Sequence, residues 1–322
     1  MLGQRGRHGS DLLPGEAGDF LASVLDGLSM PQKSLPSRFF YDARGSDLFE
    51  KITRLPEYYP TRTETAILET HAAEMIDGVP DGSVLVEFGS GSSRKTEILL
   101  KELPKLGAYV PIDVSQSALE DAKLRINARF PHLAVYPVIG DFFHSPTLPA
   151  SIAKRKKTGF FPGSTFGNFE PAEGVKLLDH FRTILAPGGR LIVGVDLKKD
   201  PAILIRAYDD AAGVTAAFNL NLLARINHEI DGAFDLEAFR HKAIYNPGQG
   251  RIEMHLESKR DQEVCVAGHV FHFRAGETIH TENAYKYAIA EFRDLARTAH
   301  WLPHRVWTDE DGLFSVHELI AG

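Results

Sequence analysis

The strongest constraint on the fold is the stretch between residues 83 and 195, in which short apolar runs alternate with helical patterns. Each apolar run has the length of a buried strand, and a glycine or an aspartate lies at or just after its end. Strands that alternate with helices form a parallel, doubly wound sheet, because each helix returns the chain to the same edge. The predicted strands are 83–88, 108–114, 133–139, 158–162 and 190–195, and the predicted helices between them are 96–103, 117–130 and 171–185.

The alternation stops after Asp196, which indicates that a different kind of structure begins there. The predicted elements that follow are a helix over 201–230 broken at Gly213, an antiparallel sheet over 239–273, a helix over 284–299, and short strands at 305–308 and 313–319. We therefore expect an α/β core that is interrupted after its fifth strand. The inserted α+β segment is expected to pack with the N-terminal segment.

The composition excludes several classes of protein. Hydrophobic residues make up 43% and charged residues 25% of the 322 residues, as in folded globular chains and unlike disordered ones. The net charge of −7 argues against nucleic-acid binding, which needs a basic surface. The single cysteine, Cys265, excludes an intramolecular disulfide and a zinc site made only of cysteines. No run approaches the roughly 18 apolar residues of a membrane span, and residues 1–20 lack the apolar part of a secretory signal, so we expect a cytoplasmic protein.

A glycine-rich turn follows the first predicted strand of the core, at Gly89-Ser90-Gly91. Glycine in this position lets a bulky cofactor approach the backbone closely. The pattern is GxGxxR rather than the GxGxxG of dinucleotide-binding proteins, and it lacks the GK[ST] of a phosphate-binding P-loop. By itself the turn is also compatible with a purely structural role.

Acidic residues end the next two predicted strands. Asp113 lies 22 residues after Gly91, the distance at which a carboxylate accepts hydrogen bonds from ribose hydroxyls. Asp141 ends the third strand and could face the amino group of an adenine. A lone aspartate is more often a helix cap or a turn residue. Glycines and acids at successive strand ends, however, lie where an open α/β sheet binds its ligands.

The ordered segments EFGSGS, PIDVS, GDF and LAPGGRLIV resemble the pattern of class I S-adenosylmethionine-dependent methyltransferases. The resemblance implies a Rossmann-like, seven-stranded sheet whose last strand is antiparallel, which residues 313–319 could supply. It assigns Gly89, Ser90 and Gly91 to the methionine end of the cofactor, Asp113 to its ribose, and Asp141 with Phe142 to its adenine. Glu87 matches the acidic position before the loop, either as a direct cofactor contact or as a residue that orients the loop.

Five longer segments closely resemble the histidine-specific Nα-methyltransferases of ergothioneine biosynthesis, which convert histidine to its trimethylated betaine, hercynine. These segments are FFYDARGSDLFEKITRLPEYYPTRTE (39–64), FFPGSTFGNFEP (160–171), residues 196–227, RIEMHLES (251–258) and ETIHTENAYKY (277–287). The resemblance implies that residues 1–60 and 197–284 form a substrate-binding domain, inserted into a methyltransferase core of residues 61–196 and 285–322.

The same resemblance implies a role for each of several site residues. Tyr58 and Asn168 would hold the carboxylate of the amino acid, Tyr41 and Tyr208 would lie near the amine and the methyl donor as catalytic residues, Met254 and Glu282 would line the side-chain pocket, and Lys95 would lie in the cofactor site. A carboxylate that accepts the imidazole N–H makes a strong hydrogen bond and rejects side chains that lack the donor.

Each of these residues also has a simpler interpretation. Asn168 could be a turn residue, Tyr58 could pack between two prolines, Tyr208 could belong to an amphipathic helix, and Met254 could be core. Glu282 lies at a predicted helix start, where an acid is favourable without any substrate.

Ala284 departs from the family pattern, which has a hydroxyl residue two positions after the glutamate to bond the second imidazole nitrogen. Losing one hydrogen bond costs about 0.5–1.5 kcal/mol. Our hypothesis is weaker histidine binding with the reaction retained.

The sequence therefore predicts a monomeric enzyme that methylates the α-amine of histidine, a small-molecule substrate, with S-adenosylmethionine as the donor. Alternatives are methylation of another amino acid, such as tryptophan or a derivative, and a non-catalytic cofactor-binding protein. A nicotinamide oxidoreductase is less favoured because the third glycine of GxGxxG is missing. No metal is expected, since HExxH is absent and methyl transfer to an amine needs none.

Overall fold

A computed structural model describes residues 16–91, 93–140, 142 and 148–322. Its helices are α1 Glu16–Ser29, α2 Ala43–Ile52, α3 Tyr59–Ile76, α4 Thr96–Lys101, α5 Gln116–Arg129, α6 Ala150–Ala153, α7 Pro171–Leu185, α8 Pro201–Tyr208, α9 Val214–Glu229 and α10 Ile289–Thr298. Its strands are β1 Val84–Phe88, β2 Ala108–Asp113, β3 Val138–Ile139, β4 Lys157–Phe161, β5 Arg190–Asp196, β6 Phe239–Asn246, β7 Arg251–Ser258, β8 Gln262–Val266, β9 His269–Phe273, β10 Thr278–Tyr285, β11 Trp301–Thr308 and β12 Phe314–Ala321. Among these helices, none combines the length and the apolar character needed to cross a membrane.

Backbone contacts divide the described residues into two compact units. The sheet unit contains the described residues of 58–204, 246–252 and 283–322, and the α+β unit contains 16–57, 205–245 and 253–282. The predicted insertion, 197–284, is therefore shared between the units, because three short parts of it group with the sheet unit.

The sheet unit is built on seven strands in the order β11-β12-β5-β4-β1-β2-β3. Strands β1 to β5 are parallel, whereas β12 is antiparallel to β5, as predicted for the last strand. From β1 the chain passes to β2 and β3 on one side, and it then crosses back to β4 and β5 on the other side, so the winding reverses between β1 and β4. Ligands bind open α/β sheets beyond the carboxyl ends of the strands at such a reversal.

Apolar side chains cover both faces of this sheet. Val84, Val86 and Phe88 of β1 pack with α7 and α10 in one cluster. Leu85, which points the other way because side chains alternate along a strand, packs with α3, α4 and α5 in a second cluster. Burial on both faces explains why β1, β2 and β5 read as largely apolar runs.

The α+β unit packs the N-terminal segment against α9. The ring of Phe40 stacks on Phe218 of α9 with 4.6 Å between centroids. Arg225, also on α9, donates to the carbonyl of Phe39 at 2.8 Å. The small sheets of the insertion have the orders β10-β7-β6 and β8-β9.

Several predicted elements differ from the structure. The antiparallel sheet was expected over 239–273 but also includes β10, and the strand expected at 305–308 begins at Trp301. The third strand was expected over 133–139, but only Val138–Ile139 forms a strand, with an isolated bridge from Val135 to Tyr109. The helix expected over 284–299 is wrong at its start, since α10 begins at Ile289 and residues 284–285 belong to β10. Pairing of β10 beside β7 overrides the local helical pattern, which is a tertiary effect that periodicity does not carry.

Candidate active site

The glycine-rich loop lies at the carboxyl end of β1, beside the reversal of the sheet. Gly89 has φ +72°, and a Cβ added there would lie 3.0 Å from the ring of Phe142. The Gly89 and Ser90 N–H groups donate to the carbonyl of Ile112 at 2.9 and 3.1 Å. Glycine is thus required by both the backbone conformation and the close approach of an aromatic ring.

Asp113 at the end of β2 is joined to this loop. Its carboxylate accepts the Gly91 N–H at 2.8 Å and the Ser115 N–H at 2.9 Å. Burial raises the pKa of Asp113, although these N–H groups oppose the shift. The predicted ribose acid therefore also fixes the shape of the glycine loop.

The loop fits a polar cofactor with an aromatic part. The Ser90 hydroxyl is buried and has no hydrogen-bond partner within the part of the chain that the structure describes, which leaves a polar group for a ligand to satisfy. Phe142 packs edge-on against Phe161 at 5.3 Å and Phe169 at 6.1 Å. Asp141, the predicted adenine partner, lies outside the described residues.

Glu87 is fully enclosed beneath the loop. Its carboxylate accepts hydrogen bonds from the hydroxyls of Thr96 and Tyr109. Burial raises the pKa of Glu87 to about 7, although these hydroxyls oppose the shift. Because Thr96 opens α4 and Tyr109 lies on β2, these contacts favour the interpretation of Glu87 as a residue that orients the loop.

Lys95 follows the loop and is held by a buried acid. Its ammonium group pairs with Glu64 of α3, which is inaccessible to solvent. Glu64 also accepts the Gly163 N–H at 2.9 and 3.0 Å. The pair joins α3, the glycine loop and the segment after β4, so Lys95 has a positioning role beside its predicted cofactor role.

Asn168 ends a short 3₁₀ helix over Thr165–Asn168 that follows β4. A Cβ on Gly167 would come within 2.7 Å of the Tyr285 carbonyl, so this turn lies directly against the end of β10. The neighbouring Phe169 contacts Phe142, whose ring covers Gly89. The sheet unit thus brings the Asn168 turn close to the glycine loop.

Glu170 fixes the same turn from its other end. Its carboxylate accepts hydrogen bonds from Arg251 at 2.6 Å, from Asn283 at 3.1 Å and from the Tyr285 hydroxyl at 2.5 Å. Ala284, between Asn283 and Tyr285, is 3% exposed. The Asn168 turn and the predicted specificity position are therefore held in one network.

Asp196 forms a buried charge cluster at the end of β5. Tyr59 donates to both of its carboxylate oxygens at 2.8 Å, and the Lys286 ammonium lies 2.8 Å away. Burial alone would raise the pKa of Asp196, but Lys286 and Lys199 more than offset it and hold that pKa below its usual value. The cluster fixes the start of α3, and Tyr58, which is 8% exposed, immediately precedes that helix.

Tyr41 belongs to the α+β unit, at the end of the 3₁₀ helix Ser37–Phe40. Its ring packs edge-on against Phe49 at 5.7 Å and Phe218 at 5.9 Å. The next residue, Asp42, caps α2 and accepts from Asn221 of α9 at 2.8 Å. These contacts fix the backbone at Tyr41.

Tyr208 ends α8, and its carbonyl accepts from Nε2 of His241 at 2.8 Å. A carbonyl only accepts, so Nε2 carries the proton and Nδ1 accepts from the Asn219 amide at 2.9 Å. Burial lowers the pKa of His241, which agrees with a neutral ring. Asn219 therefore orients the histidine that anchors the Tyr208 backbone.

Met254 and Glu282 lie on adjacent strands of the α+β unit, β7 and β10. Met254 is 1% exposed, and its carbonyl accepts from the Thr281 hydroxyl at 3.0 Å. Oδ1 of Asn219 lies 2.8 Å from the same hydroxyl, so the two acceptors share its single proton. Glu282 lies within a strand, so its interpretation as a residue at a helix start is wrong.

Several important residues escaped the sequence analysis. These are Glu64, Glu170, Asp196, Asn219 and Arg251. The sequence offered one signal for such residues, namely a polar residue inside an apolar pattern. Asn219, in the helix that contains Leu222 and Leu223, is an example. Its partners are distant in sequence and become evident only in the fold.

The whole chain also matches known proteins. Residues 20–321 match the family described as histidine-specific, S-adenosylmethionine-dependent methyltransferases. The chain belongs to this family.

Relatives support this assignment. Histidine N-alpha-methyltransferase of Mycolicibacterium smegmatis is 44% identical, with 91% of this chain and 92% of the relative covered. The protein of the same name from Mycobacterium tuberculosis is 41% identical over the same shares. Ergothioneine biosynthesis protein 1 of Neurospora crassa is 31% identical, with 86% of this chain but only 32% of that protein covered. The family uses S-adenosylmethionine as its methyl donor. The seven-stranded sheet of this methyltransferase, with β12 antiparallel to β5, has the class I fold that the resemblance implies.

The raised pKa of Glu87 predicts a pH-dependent stability. The unfolded carboxyl titrates near 4.5 and the folded one near 7, so the folded state binds the additional proton between these pH values. The resulting stabilisation is complete below 4.5 and is lost as the pH rises through 7. The lost contribution is on the order of 3 kcal/mol.

Urea denaturation between pH 5 and 8 checks this prediction. We expect wild type to lose more unfolding free energy over this range than Glu87→Gln, whose side chain cannot ionise. Glu102→Gln, at an exposed position after α4, serves as the control and should follow wild type. Equal slopes for wild type and Glu87→Gln would refute the prediction.

A second prediction concerns the buried pair of Glu64 and Lys95. Glu64→Gln leaves the partly buried ammonium without its partner and should cost about 3–5 kcal/mol of unfolding free energy. Adding Lys95→Met should recover part of this loss, because the unpaired charge is then removed. Denaturant unfolding measures both effects, with exposed Glu69→Gln on the same helix as the control. The prediction fails if Glu64→Gln and Glu69→Gln are equally stable.

Proposed function

We propose that this protein methylates the α-amine of free L-histidine, using S-adenosylmethionine, and continues to the trimethylated betaine hercynine of the ergothioneine pathway. The observation that carries the proposal is the match of residues 20–321 to the histidine-specific family. The names of the two mycobacterial relatives support the same substrate. We further propose a cytoplasmic monomer that acts without nucleic acid or membrane, in keeping with a net charge of −7 and a single cysteine.

Gly89, Ser90, Gly91 and Asp113 would hold the cofactor, with Phe142 and Asp141 at its adenine, Tyr41 near the methyl donor and Lys95 within the cofactor site. The Ser90 hydroxyl, which has no partner among the described residues, and the Asp113 carboxylate supply hydrogen-bonding groups of the required kind. S-Adenosylmethionine, when bound, supplies a methyl group on a positively charged sulfur.

Tyr58 and Asn168 would bind the substrate carboxylate, since a hydroxyl and an amide N–H both donate to it. The Glu170 network and the contact at Gly167 hold the Asn168 turn in a fixed shape. Orientation of this kind lowers the barrier by settling the geometry before reaction.

Tyr41 and Tyr208 are proposed as the catalytic residues near the amine. Only the neutral amine has a lone pair to attack the methyl group, so the site must favour loss of a proton. Low access of water to the site disfavours the charged ammonium form. Each methylation removes one N–H from the substrate amine. The tyrosine hydroxyls must therefore position the nitrogen without needing a fixed number of N–H donors on it.

Met254 and Glu282 would form the side-chain pocket, with Glu282 as the imidazole acceptor. Ala284 is 3% exposed and has no hydroxyl for the second imidazole nitrogen. This observation favours one alternative, a methyltransferase retuned to another amino acid such as tryptophan or a derivative. A non-catalytic cofactor-binding protein is the remaining alternative.

Mass spectrometry tests the function. The purified protein is incubated with S-adenosylmethionine and a panel of free amino acids, and Asp113→Ala serves as a variant with weakened cofactor binding. We expect histidine alone to gain one, two and three methyl groups, at a much lower rate in the variant. Methylation of another amino acid instead of histidine would overturn the substrate, and cofactor binding without any turnover would favour the non-catalytic alternative.

Ala284→Ser tests the proposed effect on affinity. A hydroxyl that bonds the second imidazole nitrogen should lower the KM for histidine about three- to tenfold, with little change in kcat. Steady-state kinetics measure both constants. Ala321→Ser is the control, because Ala321 is equally buried, at 4% exposure, but lies on β12. An unchanged KM for Ala284→Ser would show that a hydroxyl at position 284 does not contribute to histidine binding.

A further inference from the structure

A cluster of two histidines and a glutamate lies on β7 and β10 in the α+β unit. Glu253 and His255 are two residues apart on β7, so their side chains leave the same face of the strand. His280 lies on β10, which is the neighbour of β7 in the sheet. One possible ligand atom from each residue lies within 4.8 Å of the other two.

Two of the three side chains are buried, and His280 is partly buried. Glu253 and His255 are each 7% exposed. Nε2 of His255 lies 3.2 Å from Glu253, and its ring lies 4.8 Å from the His280 ring with an interplanar angle of 21°. Two imidazoles, one of them hydrogen-bonded to a carboxylate, form a nitrogen donor set that divalent transition metals prefer.

Hydrogen bonding determines which ring nitrogens carry lone pairs. Nε2 of His280 lies 3.0 Å from the Glu282 carbonyl, which only accepts, so Nε2 carries the proton and Nδ1 the lone pair. The carboxylate of Glu253 likewise receives the Nε2 proton of His255. Nδ1 of His255 is then an acceptor, and it is buried without a partner among the residues that the structure describes.

The charge of the cluster also suits a cation. Burial, followed by the neighbouring His280, lowers the pKa of His255, so its ring is neutral and can act as a ligand at neutral pH. Glu253 contributes a negative charge. Lys242 on β6 acts in the opposite direction, but its ammonium group is paired with Glu257 at 2.6 Å.

We propose that Glu253, His255 and His280 form a binding site for one divalent transition metal ion, such as Zn²⁺. The two Nδ1 atoms supply the nitrogen ligands, and water completes the coordination. Glu253 accepts the Nε2 proton of His255, which orients that ring, and supplies a nearby negative charge. The ion links β7 to β10, the strands that also carry Met254 and Glu282. The bound ion stabilises the pairing of these two strands and takes no part in the methyl-transfer chemistry.

Zinc titration of untagged, chelator-treated protein tests the proposal by isothermal calorimetry. We expect wild type to bind one equivalent of Zn²⁺ per chain more tightly than any further equivalents. This tight binding should be lost in His255→Ala and in His280→Ala, and it should be at least tenfold weaker in Glu253→Gln. His272→Ala is the matched control, because it removes an exposed His–Glu pair, His272 with Glu263 at 3.2 Å. This control should bind the ion as wild type does.

Two outcomes would overturn the proposal. One is the absence of a distinct high-affinity equivalent in wild type, and the other is its retention in both histidine-to-alanine variants. NMR of wild type removes any dependence on how the variants fold: Zn²⁺ should shift the ring resonances of His255 and His280 and leave those of His272 unchanged. Equal shifts for all three histidines would indicate non-specific surface binding and refute the site.

Discussion

The buried carboxylate of Asp196 is the contact on which the arrangement of the sheet unit depends. The chain leaves the core sheet at this residue, and its carboxylate is bonded by Tyr59 at the start of α3 and by Lys286 just after β10. A buried carboxylate without partners would cost several kcal/mol, so these partners must stay together in the folded state. The exit of the chain from β5, the entry into α3 and the return to the core are thereby fixed at one point.

The same unit shapes the cofactor loop through polar contacts beneath and beside it. Glu87 supports the loop from below, Asp113 holds its Gly91 N–H, and Glu64 joins Lys95 to the segment after β4. These contacts connect the carboxyl ends of β1, β2 and β4, which surround the reversal of the sheet. Buried polar networks of this kind specify one conformation because any partial breakage leaves an unsatisfied group.

The α+β unit relies on a different central residue. Asn219 is fully buried and bonds His241, the His255 carbonyl and Thr281, so one amide side chain joins α9 to three strands. The Tyr208 carbonyl is linked to this amide through His241, and the Met254 carbonyl is linked to it through Thr281. Two predicted site residues, Tyr208 and Met254, are thus positioned by Asn219, which has no predicted catalytic or binding role.

The sequence by itself determined the alternating core, the interruption after Asp196 and the glycine loop, whereas the antiparallel last strand followed from the family resemblance. It could do so because apolar periodicity and glycine placement act over a few neighbouring residues. Long matching segments likewise indicated the family and the candidate site residues. These features need no knowledge of which distant residues meet.

Only the tertiary structure decided the partners of the buried polar groups and the true boundary of β10. Glu64 with Lys95, Asp196 with Lys286, and Glu170 with Tyr285 are separated by dozens of residues or more, and no local pattern pairs them. Residues 284–285 were predicted as helix but extend β10, because pairing in a sheet outweighs weak local preference. Local order follows from sequence spacing, whereas the pairing of buried charges depends on how the packed elements bring them together.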